Sequence, residues 1–320
     1  MRVLITGITG FAGAYLAEHL LTSGGDVEVF GLVRWRSSTA ELQPLQPLLR
    51  LVEGDLQDAS SLLRALQAAR PEVIYHLAAS SSVAGSWATP AEILQTNAVG
   101  TLHLLEAVRQ LDLDATVVLA CSAEPYGVVG EGELPIGEER PLRPVSPYGV
   151  SKAAVDLLGY QYFHTFRMRT VRLRLFNHCG PRQPERFVVS SLARQIVEVE
   201  RELRPPRLLV GNLEARRDFI DVRDAARAYR LAGERGEAGA VYNVCTGHGR
   251  SIRAVLDELL SLTAAVVDVE CDPARLRPAE IPVLVGDPTR FFERVGWRPT
   301  IPFRQTLLDT LEYWRHRLPA

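Results

Sequence analysis

The start of the chain combines an apolar run with closely spaced glycines, and this combination restricts the fold more than any other feature. Residues Arg2–Thr6 predict a buried strand, and a helical pattern begins at Phe11. Glycines in such a turn let a ligand approach the backbone, while the helix N-terminus offers free N–H groups and the positive end of its dipole. The pattern predicts a strand–turn–helix unit for the pyrophosphate of a dinucleotide, formed by Gly7, Gly10, Phe11 and Gly13.

Apolar runs and helical patterns then alternate through the first 176 residues. We predict strands at residues 2–6, 27–33, 48–53, 73–76, 116–120 and 170–176, and helices at 11–23, 60–69, 91–111 and 147–167. This alternation predicts the α/β class, with a Rossmann doubly wound parallel sheet and helices on both of its faces.

Beyond residue 176 many prolines divide the chain into short pieces. We predict a smaller, mixed α/β C-terminal substrate domain formed by residues 177–217 and 247–320, ending in a helix at 303–318. Residues 218–246 are expected to return to the large sheet and to complete, with residues 1–176, the dinucleotide-binding Rossmann domain.

Composition excludes several other classes of protein. The net charge is −2 with no long run of either sign, which argues against a nucleic-acid or membrane surface. No run of about 18 apolar residues offers a membrane span, and no signal peptide precedes the first strand. The four cysteines form no CxxC pair, so we expect reduced thiols, no metal site and a cytoplasmic location.

The residues after the second predicted strand indicate which dinucleotide is bound. An NAD-binding fold of this type places an acid there for the ribose 2′-hydroxyl. This chain instead has Arg34, Trp35, Arg36, Ser37 and Ser38. Because arginine and serine side chains suit a 2′-phosphate, we predict NADP, with Arg34 as a ligand and Arg36 as either a second ligand or a surface charge.

The catalytic prediction starts from a single lysine. Of 36 Lys and Arg residues only Lys152 is lysine, and Tyr148 precedes it by one helical turn. An adjacent ammonium lowers a phenol pKa and makes the tyrosine a usable acid or base. Ser122 ends the fifth strand and is predicted to orient the reacting oxygen. Glu124 either reaches the same pocket or is a solvated loop carboxylate.

Taken together, these motifs resemble the extended short-chain dehydrogenase/reductase family. The resemblance covers essentially the whole chain and implies that Ser122, Tyr148 and Lys152 are the catalytic set. It also implies cofactor contacts or support from Asp55, Leu56, Leu77, Ala78, Ala79 and Asn97. We predict that His76 is structural, whereas His178 is a candidate substrate contact.

Finer features are similar to the GDP-mannose branch of that family. These features are Phe176–His178, Val210–Phe219 and Leu276–Glu280. The resemblance implies that Asn177, Arg217 and Arg277 hold a diphosphate and that Glu280 accepts from a ribose hydroxyl, which fits the chemistry of both side chains. The expected substrate is a GDP-linked hexose. The resemblance also implies a homodimer built on helices 91–111 and 147–167.

Two activities of this branch remain open. One is NADPH-dependent reduction of the C4 ketone of a 4-keto-6-deoxy sugar, with Tyr148 as proton donor. The other is 4,6-dehydration, with Glu124 as the C5 base and NADP recycled. Ala123 replaces the Ser or Asp that dehydratases carry, which favours the reductase. A non-catalytic NADP-binding regulatory protein is a third alternative, and the retained Tyr148–Lys152 pair argues against it.

Overall fold

The computed structural model describes residues 1–276 and 279–319. Its strands are β1 (Arg2–Thr6), β2 (Glu28–Val33), β3 (Leu49–Glu53), β4 (Val73–His76), β5 (Thr116–Ser122), β6 (Thr170–Leu175), β7 (Asn177–Cys179), β8 (Arg207–Val210), β9 (Arg216–Asp221), β10 (Val241–Val244), β11 (Gly249–Ser251), β12 (Asp268–Cys271) and β13 (Val283–Leu284). Its helices are α1 (Phe11–Thr22), α2 (Ala59–Ala69), α3 (Val83–Ser86), α4 (Pro90–Leu94), α5 (Gly100–Gln110), α6 (Pro147–Phe166), α7 (Val188–Glu200), α8 (Val222–Arg235), α9 (Ile252–Leu260), α10 (Thr289–Val295) and α11 (Phe303–Arg317). Within those ranges, no helix is both long and apolar enough to cross a membrane.

The larger sheet has the order β10–β6–β5–β4–β1–β2–β3, and all of its neighbouring strands are parallel. Helices α1, α8 and α10 pack on one face around an apolar cluster that includes Leu16 and Phe291. Helices α2, α5 and α6 cover the other face around Leu66 and Leu104. The predicted doubly wound Rossmann sheet is therefore confirmed, and its predicted elements agree with the structure within two residues except at 91–111.

The predicted helix at 91–111 is interrupted. Between α4 and α5 the residues Gln95–Val99 form a π-helical turn. Such a turn inserts extra backbone into a helix and commonly occurs at functional sites. Here it carries Asn97, which is buried and whose side chain bonds Ser80 and Ser151. The interruption thus tethers the segment after β4 to helix α6.

A second, smaller group of strands lies beyond β6. Strand β9 pairs with β7, β11 and β13, while β8 pairs with β12. Helices α7, α9 and α11 enclose a separate apolar cluster beside these strands. The two groups of strands therefore pack on separate apolar clusters.

The expected return of residues 218–246 to the large sheet is only partly correct. Strand β10 joins that sheet beside β6 and α8 packs against it, but β9 belongs to the smaller sheet. The reason is the Asp218 carboxylate, which accepts hydrogen bonds from Thr246 and Gly247 and so holds β9 against the segment after β10. The division into two domains at the stated boundaries stays a prediction.

A buried ionic cluster connects α6 to the large sheet. The Asp156 carboxylate of α6 accepts from Arg172 Nη1 at 2.9 Å and from Arg174 Nε at 2.8 Å. Arg174 also donates to the Tyr126 hydroxyl at 2.9 Å and to the Glu138 carbonyl oxygen at 2.8 Å. The cluster fixes α6 against β6 and against the segment that follows β5.

Replacing Asp156 with alanine should lower the free energy of unfolding by roughly 3–5 kcal/mol, because it leaves two buried guanidinium groups without their carboxylate. Urea denaturation measures the change. Asp114→Ala is the matched control, since its side chain is 90% exposed and lies 3.5 Å from Arg169, and it should have little effect. An Asp156→Ala protein as stable as the wild type would contradict this account.

Candidate active site

A deep cleft of about 590 Å³ opens at the carboxyl ends of the large-sheet strands. The glycine turn after β1 and the ends of β5 and β6 form its floor, and residues of β7, α7 and β9 form its opposite wall. Ligands of open α/β sheets bind at this edge. The cleft is therefore the candidate active site.

The glycine turn packs so closely against the protein backbone that no side chain fits at Gly7 or Gly13. Gly7 has a φ of +73°, and a Cβ there would lie 2.7 Å from the Ala78 nitrogen. A Cβ on Gly13 would lie 2.2 Å from the Gly7 carbonyl oxygen. Because α1 begins immediately after Gly10, its free N–H groups face the cleft. These features fit the pyrophosphate of a dinucleotide, as the sequence predicted.

Side chains around the turn complete this half of the cleft. Leu77 and Ala79 line it, and the Ala78 N–H donates to Thr6 Oγ1 at 3.1 Å. Phe11 stacks on His178 with ring centroids 5.8 Å apart and an interplanar angle of 10°. His178 therefore belongs to the cleft, and its ring faces the dinucleotide-binding turn.

Two residues predicted to have supporting roles, His76 and Asn97, form hydrogen bonds with other residues of the protein. His76 lies between Thr6 Oγ1 at 2.8 Å and Thr101 Oγ1 at 2.9 Å, and burial lowers its pKa to about 3. Its imidazole is thus neutral and structural. The Asn97 amide bonds the Ser80 backbone and Ser151, so it supports the cofactor region by holding the loop after β4.

Three predicted cofactor residues lie at the ends of β2 and β3. Arg34 is exposed at a turn closed by the Ser37 N–H and the Arg34 carbonyl oxygen, 2.8 Å apart. Asp55 and Leu56 follow β3 at the same edge of the sheet. Next to Arg34, the Arg36 guanidinium stacks on the Trp35 ring, 4.2 Å from its centroid. These residues remain predicted contacts of the adenosine half.

The predicted catalytic residues meet at the floor of the cleft. Ser122 ends β5, and its hydroxyl lies near enough to Tyr148, the second residue of α6, to lower the pKa of that phenol. The Lys152 ammonium, one turn further along α6, donates to the Ala120 carbonyl oxygen at 2.6 Å. All three residues line the cleft.

The sequence-based expectation that Lys152 lowers the Tyr148 pKa is not met in this structure. Burial raises the pKa of Tyr148, the nearby Ser122 hydroxyl opposes that rise, and the charge of Glu124 adds to it. Lys152 is itself buried, which lowers its pKa to about 8. Its ammonium is directed to a backbone carbonyl, so the phenol is protonated at neutral pH.

Glu124 lies in the cleft and is not a solvated loop carboxylate. It begins a short helical turn after β5, and its N–H donates to Ser122 Oγ at 3.1 Å. The neighbouring Ala123 is buried and offers no proton. Glu124 is therefore the carboxylate that the cleft presents beside Tyr148.

The opposite wall contains the predicted substrate ligands. Asn177 begins β7, and Arg217 of β9 is buried with its Nη2 3.2 Å from Glu280 Oε1. Arg217 and Asn177 line the cleft, so the predicted ligands of a diphosphate and of a ribose hydroxyl are neighbours. Arg277 lies outside the described residues.

Several cleft residues were missed by the sequence analysis. Arg182 bonds Glu18 and stacks over the Tyr15 ring, while Arg186 and Phe187 lie at the start of α7. The two arginines belong to the segment PRQPER, which begins four residues after Asn177, and its charge was the available signal. Tyr229 of α8 also lines the cleft, but its place in an ordinary amphipathic helix gave no signal.

A glycine turn at the edge of a doubly wound sheet, with a Ser–Tyr–Lys set beside it, defines an extended short-chain dehydrogenase/reductase. The sequence profile described as GDP-mannose 4,6 dehydratase matches residues 4–310. The chain therefore belongs to the GDP-mannose 4,6 dehydratase family of extended short-chain dehydrogenases/reductases. The prediction that it is a nucleotide-sugar oxidoreductase is confirmed.

Named relatives cover the full length of the chain. GDP-6-deoxy-D-mannose reductase of Pseudomonas aeruginosa is 36% identical over 317 residues, 99% of this chain and 98% of that protein. GDP-mannose 4,6-dehydratase of Vibrio cholerae is 32% identical over 344 residues, covering 95% and 91% of the two chains. The structure of RMD from Pseudomonas aeruginosa complexed with NADPH has a TM-score of 0.87 and 33% identity, covering 99% and 100%.

Proposed function

We propose that the chain reduces the C4 ketone of GDP-4-keto-6-deoxy-D-mannose with NADPH, giving GDP-6-deoxy-D-mannose. The observation that carries this proposal is the Tyr148 phenol, kept protonated by burial beside Ser122 on the cleft floor, with alanine at position 123. A ketone reduction needs one proton donor, and this set supplies one. The similarity to the Pseudomonas aeruginosa reductase supports the same reading.

Each residue of the set has a separate task. NADPH supplies the hydride when bound. Tyr148 donates its proton to the oxygen that becomes the C4 alkoxide, because its raised pKa keeps the phenol protonated at neutral pH. The Ser122 hydroxyl orients the carbonyl oxygen toward Tyr148, and Lys152 holds the ribose next to the nicotinamide.

The opposite wall holds the nucleotide part of the substrate. Arg217 contributes a guanidinium to the diphosphate, with Asn177 and Arg277 as its predicted companions. The Glu280 carboxylate orients Arg217 and accepts from a ribose hydroxyl. These contacts fix the sugar above Tyr148 without taking part in proton transfer.

The second candidate function is 4,6-dehydration of GDP-mannose. The position of Glu124 in the cleft favours it, because dehydration requires a base for the C5 proton. The similarity to the Vibrio cholerae dehydratase points the same way. In that reaction NADP is reduced and reoxidised within one turnover and is not consumed.

Substrate assays separate the two reactions. The purified enzyme should consume NADPH with GDP-4-keto-6-deoxy-D-mannose, and Tyr148→Phe should lower kcat by about 10²- to 10⁴-fold while NADPH still binds, because only the proton donor is lost. Absorbance at the NADPH band measures turnover, and mass spectrometry identifies the product. A Tyr148→Phe enzyme with a tenth of the wild-type rate would exclude this role.

Glu124→Gln is the discriminating variant in the same assays. A reductase should keep most of its activity in this variant, because no C5 proton is removed. Loss of water from GDP-mannose by the wild type, abolished in Glu124→Gln and without net change in NADPH, would establish the dehydratase instead.

We propose NADPH in preference to NADH because of Arg34. Its exposed guanidinium at the end of β2 forms no ion pair with the residues that the structure describes. Arg34→Ala should weaken NADPH binding by about 10- to 100-fold, the loss of a charged hydrogen bond, and leave NADH binding unchanged. Isothermal titration measures both constants. Arg64→Ala, on the exposed side of α2, is the control, and a wild-type enzyme that prefers NADH would refute the assignment.

We also propose a homodimer formed by α4, α5 and α6. These helices expose a set of large apolar side chains, namely Leu94, Leu102, Val150, Leu157 and Phe166. A patch of this kind on a folded chain marks an interaction surface. An isologous contact of the same helices from two copies would cover it.

Leu157→Glu should convert the dimer to a monomer, because Leu157 is 60% exposed at the middle of α6 and a buried carboxylate there is costly. Light scattering after size-exclusion chromatography measures the mass. Val266→Glu changes a residue that is 88% exposed and remote from these helices, and it should leave the mass unchanged. A monomeric wild type would rule out the proposed interface.

A further inference from the structure

The Tyr229 side chain is almost buried, but its hydroxyl is open to the cleft. The residue is 2% exposed, and its hydroxyl forms no hydrogen bond with any residue in the ranges that the structure describes. The other buried tyrosines there each have one: Tyr15 with Pro181, Tyr75 with Arg230, Tyr126 with Asn243, Tyr162 with Glu106 and Tyr242 with Glu237. Because this hydroxyl faces the cleft and is not used by a protein partner there, it is available to hydrogen-bond a bound ligand.

The position of Tyr229 narrows the choice of ligand. Helix α8 lies beside α1 on one face of the large sheet, and Tyr229 packs there in the same apolar cluster as Ile8 and Leu175. Its side chain reaches the floor of the cleft, which also includes Ala120. Burial, followed by the nearby Tyr148 and Cys121, raises the pKa of Tyr229, so the hydroxyl remains a hydrogen-bond donor.

The two halves of the cleft are built from different elements. The predicted sugar-nucleotide ligands come from β7 and β9 on the opposite wall. Tyr229 comes from the large-sheet side, which also carries the glycine turn and the Lys152 site for the nicotinamide ribose. Beyond the ribose at Lys152, the next group of a dinucleotide is its nicotinamide, whose carboxamide both donates and accepts hydrogen bonds.

We propose that the Tyr229 hydroxyl hydrogen-bonds the nicotinamide carboxamide and thereby fixes the rotation of the ring about its bond to the ribose. This inference rests on the proposed function, because it requires that the cleft binds NADPH. Tyr229 is then a residue for cofactor orientation, distinct from the Ser122–Tyr148–Lys152 set that acts on the sugar ketone.

The test uses Tyr229→Phe, which removes one hydroxyl and keeps the packed ring. Isothermal titration compares NADPH with 2′-phospho-ADP-ribose, a probe that lacks the nicotinamide. The variant should bind NADPH about three- to tenfold more weakly, the loss of one neutral hydrogen bond, and should bind 2′-phospho-ADP-ribose as the wild type does. Its kcat should fall while KM for the keto-sugar stays unchanged.

Tyr75→Phe is the matched control. Tyr75 is a buried tyrosine in the same apolar cluster, its hydroxyl bonds the Arg230 carbonyl oxygen, and it does not line the cleft. This variant should bind both probes as the wild type does.

Three results would overturn the inference. They are unchanged NADPH binding in Tyr229→Phe, equal weakening of both probes, and a raised KM for the keto-sugar with unchanged NADPH binding, which would assign the hydroxyl to the sugar. Failure of the wild type to bind NADPH at all would instead refute the proposed function, so the two failures are distinguishable.

Discussion

The buried contact between Asp156 and Arg174 is the interaction on which the geometry of the site depends. Tyr148 and Ser122 come from different elements, a helix and a strand end, and they line the same cleft only if the distance between those elements is fixed. Asp156 lies one helical turn beyond Lys152, and Arg174 ties it both to β6 and to Tyr126 in the turn after Ser122. A buried ion pair is rarely a strong source of net stability. Here it sets the relative position of the two catalytic elements.

The carboxyl edge of the large sheet presents different groups to a ligand on its two sides. On one flank, Gly7 and Gly13 let the turn after β1 pack tightly against neighbouring backbone, which leaves the N-terminus of α1 beside the cleft. On the other flank, Arg217 is buried against Glu280, so a cation is held in place before any substrate arrives. Between them the floor carries a phenol whose burial keeps its proton in place. A ligand bound along this edge would therefore meet the glycine turn at one end, a fixed cation at the other end and a protonated phenol between them.

Much of this arrangement follows from local sequence signals. The glycine turn, the alternation of strands and helices, and the Tyr148–Lys152 spacing each depend on residues close in the chain, so their prediction needed no tertiary information. The position of β9 depends on Asp218 meeting Thr246, a contact between distant segments that no periodicity reveals. The Tyr148 pKa was misjudged for the same reason, because burial outweighs a charge whose distance the sequence does not give. Tyr229 was missed because core and cleft positions look alike on an amphipathic helix.

The single lysine of this chain has a practical consequence for protein chemistry. Reagents that acylate lysine side chains find a single such group in this sequence, the Lys152 ε-amine in the cleft. Because burial brings the Lys152 pKa to about 8, part of that amine is nucleophilic under mildly alkaline conditions. The extent of acylation at this one side chain, measured by mass spectrometry, therefore reports directly how open the cleft is.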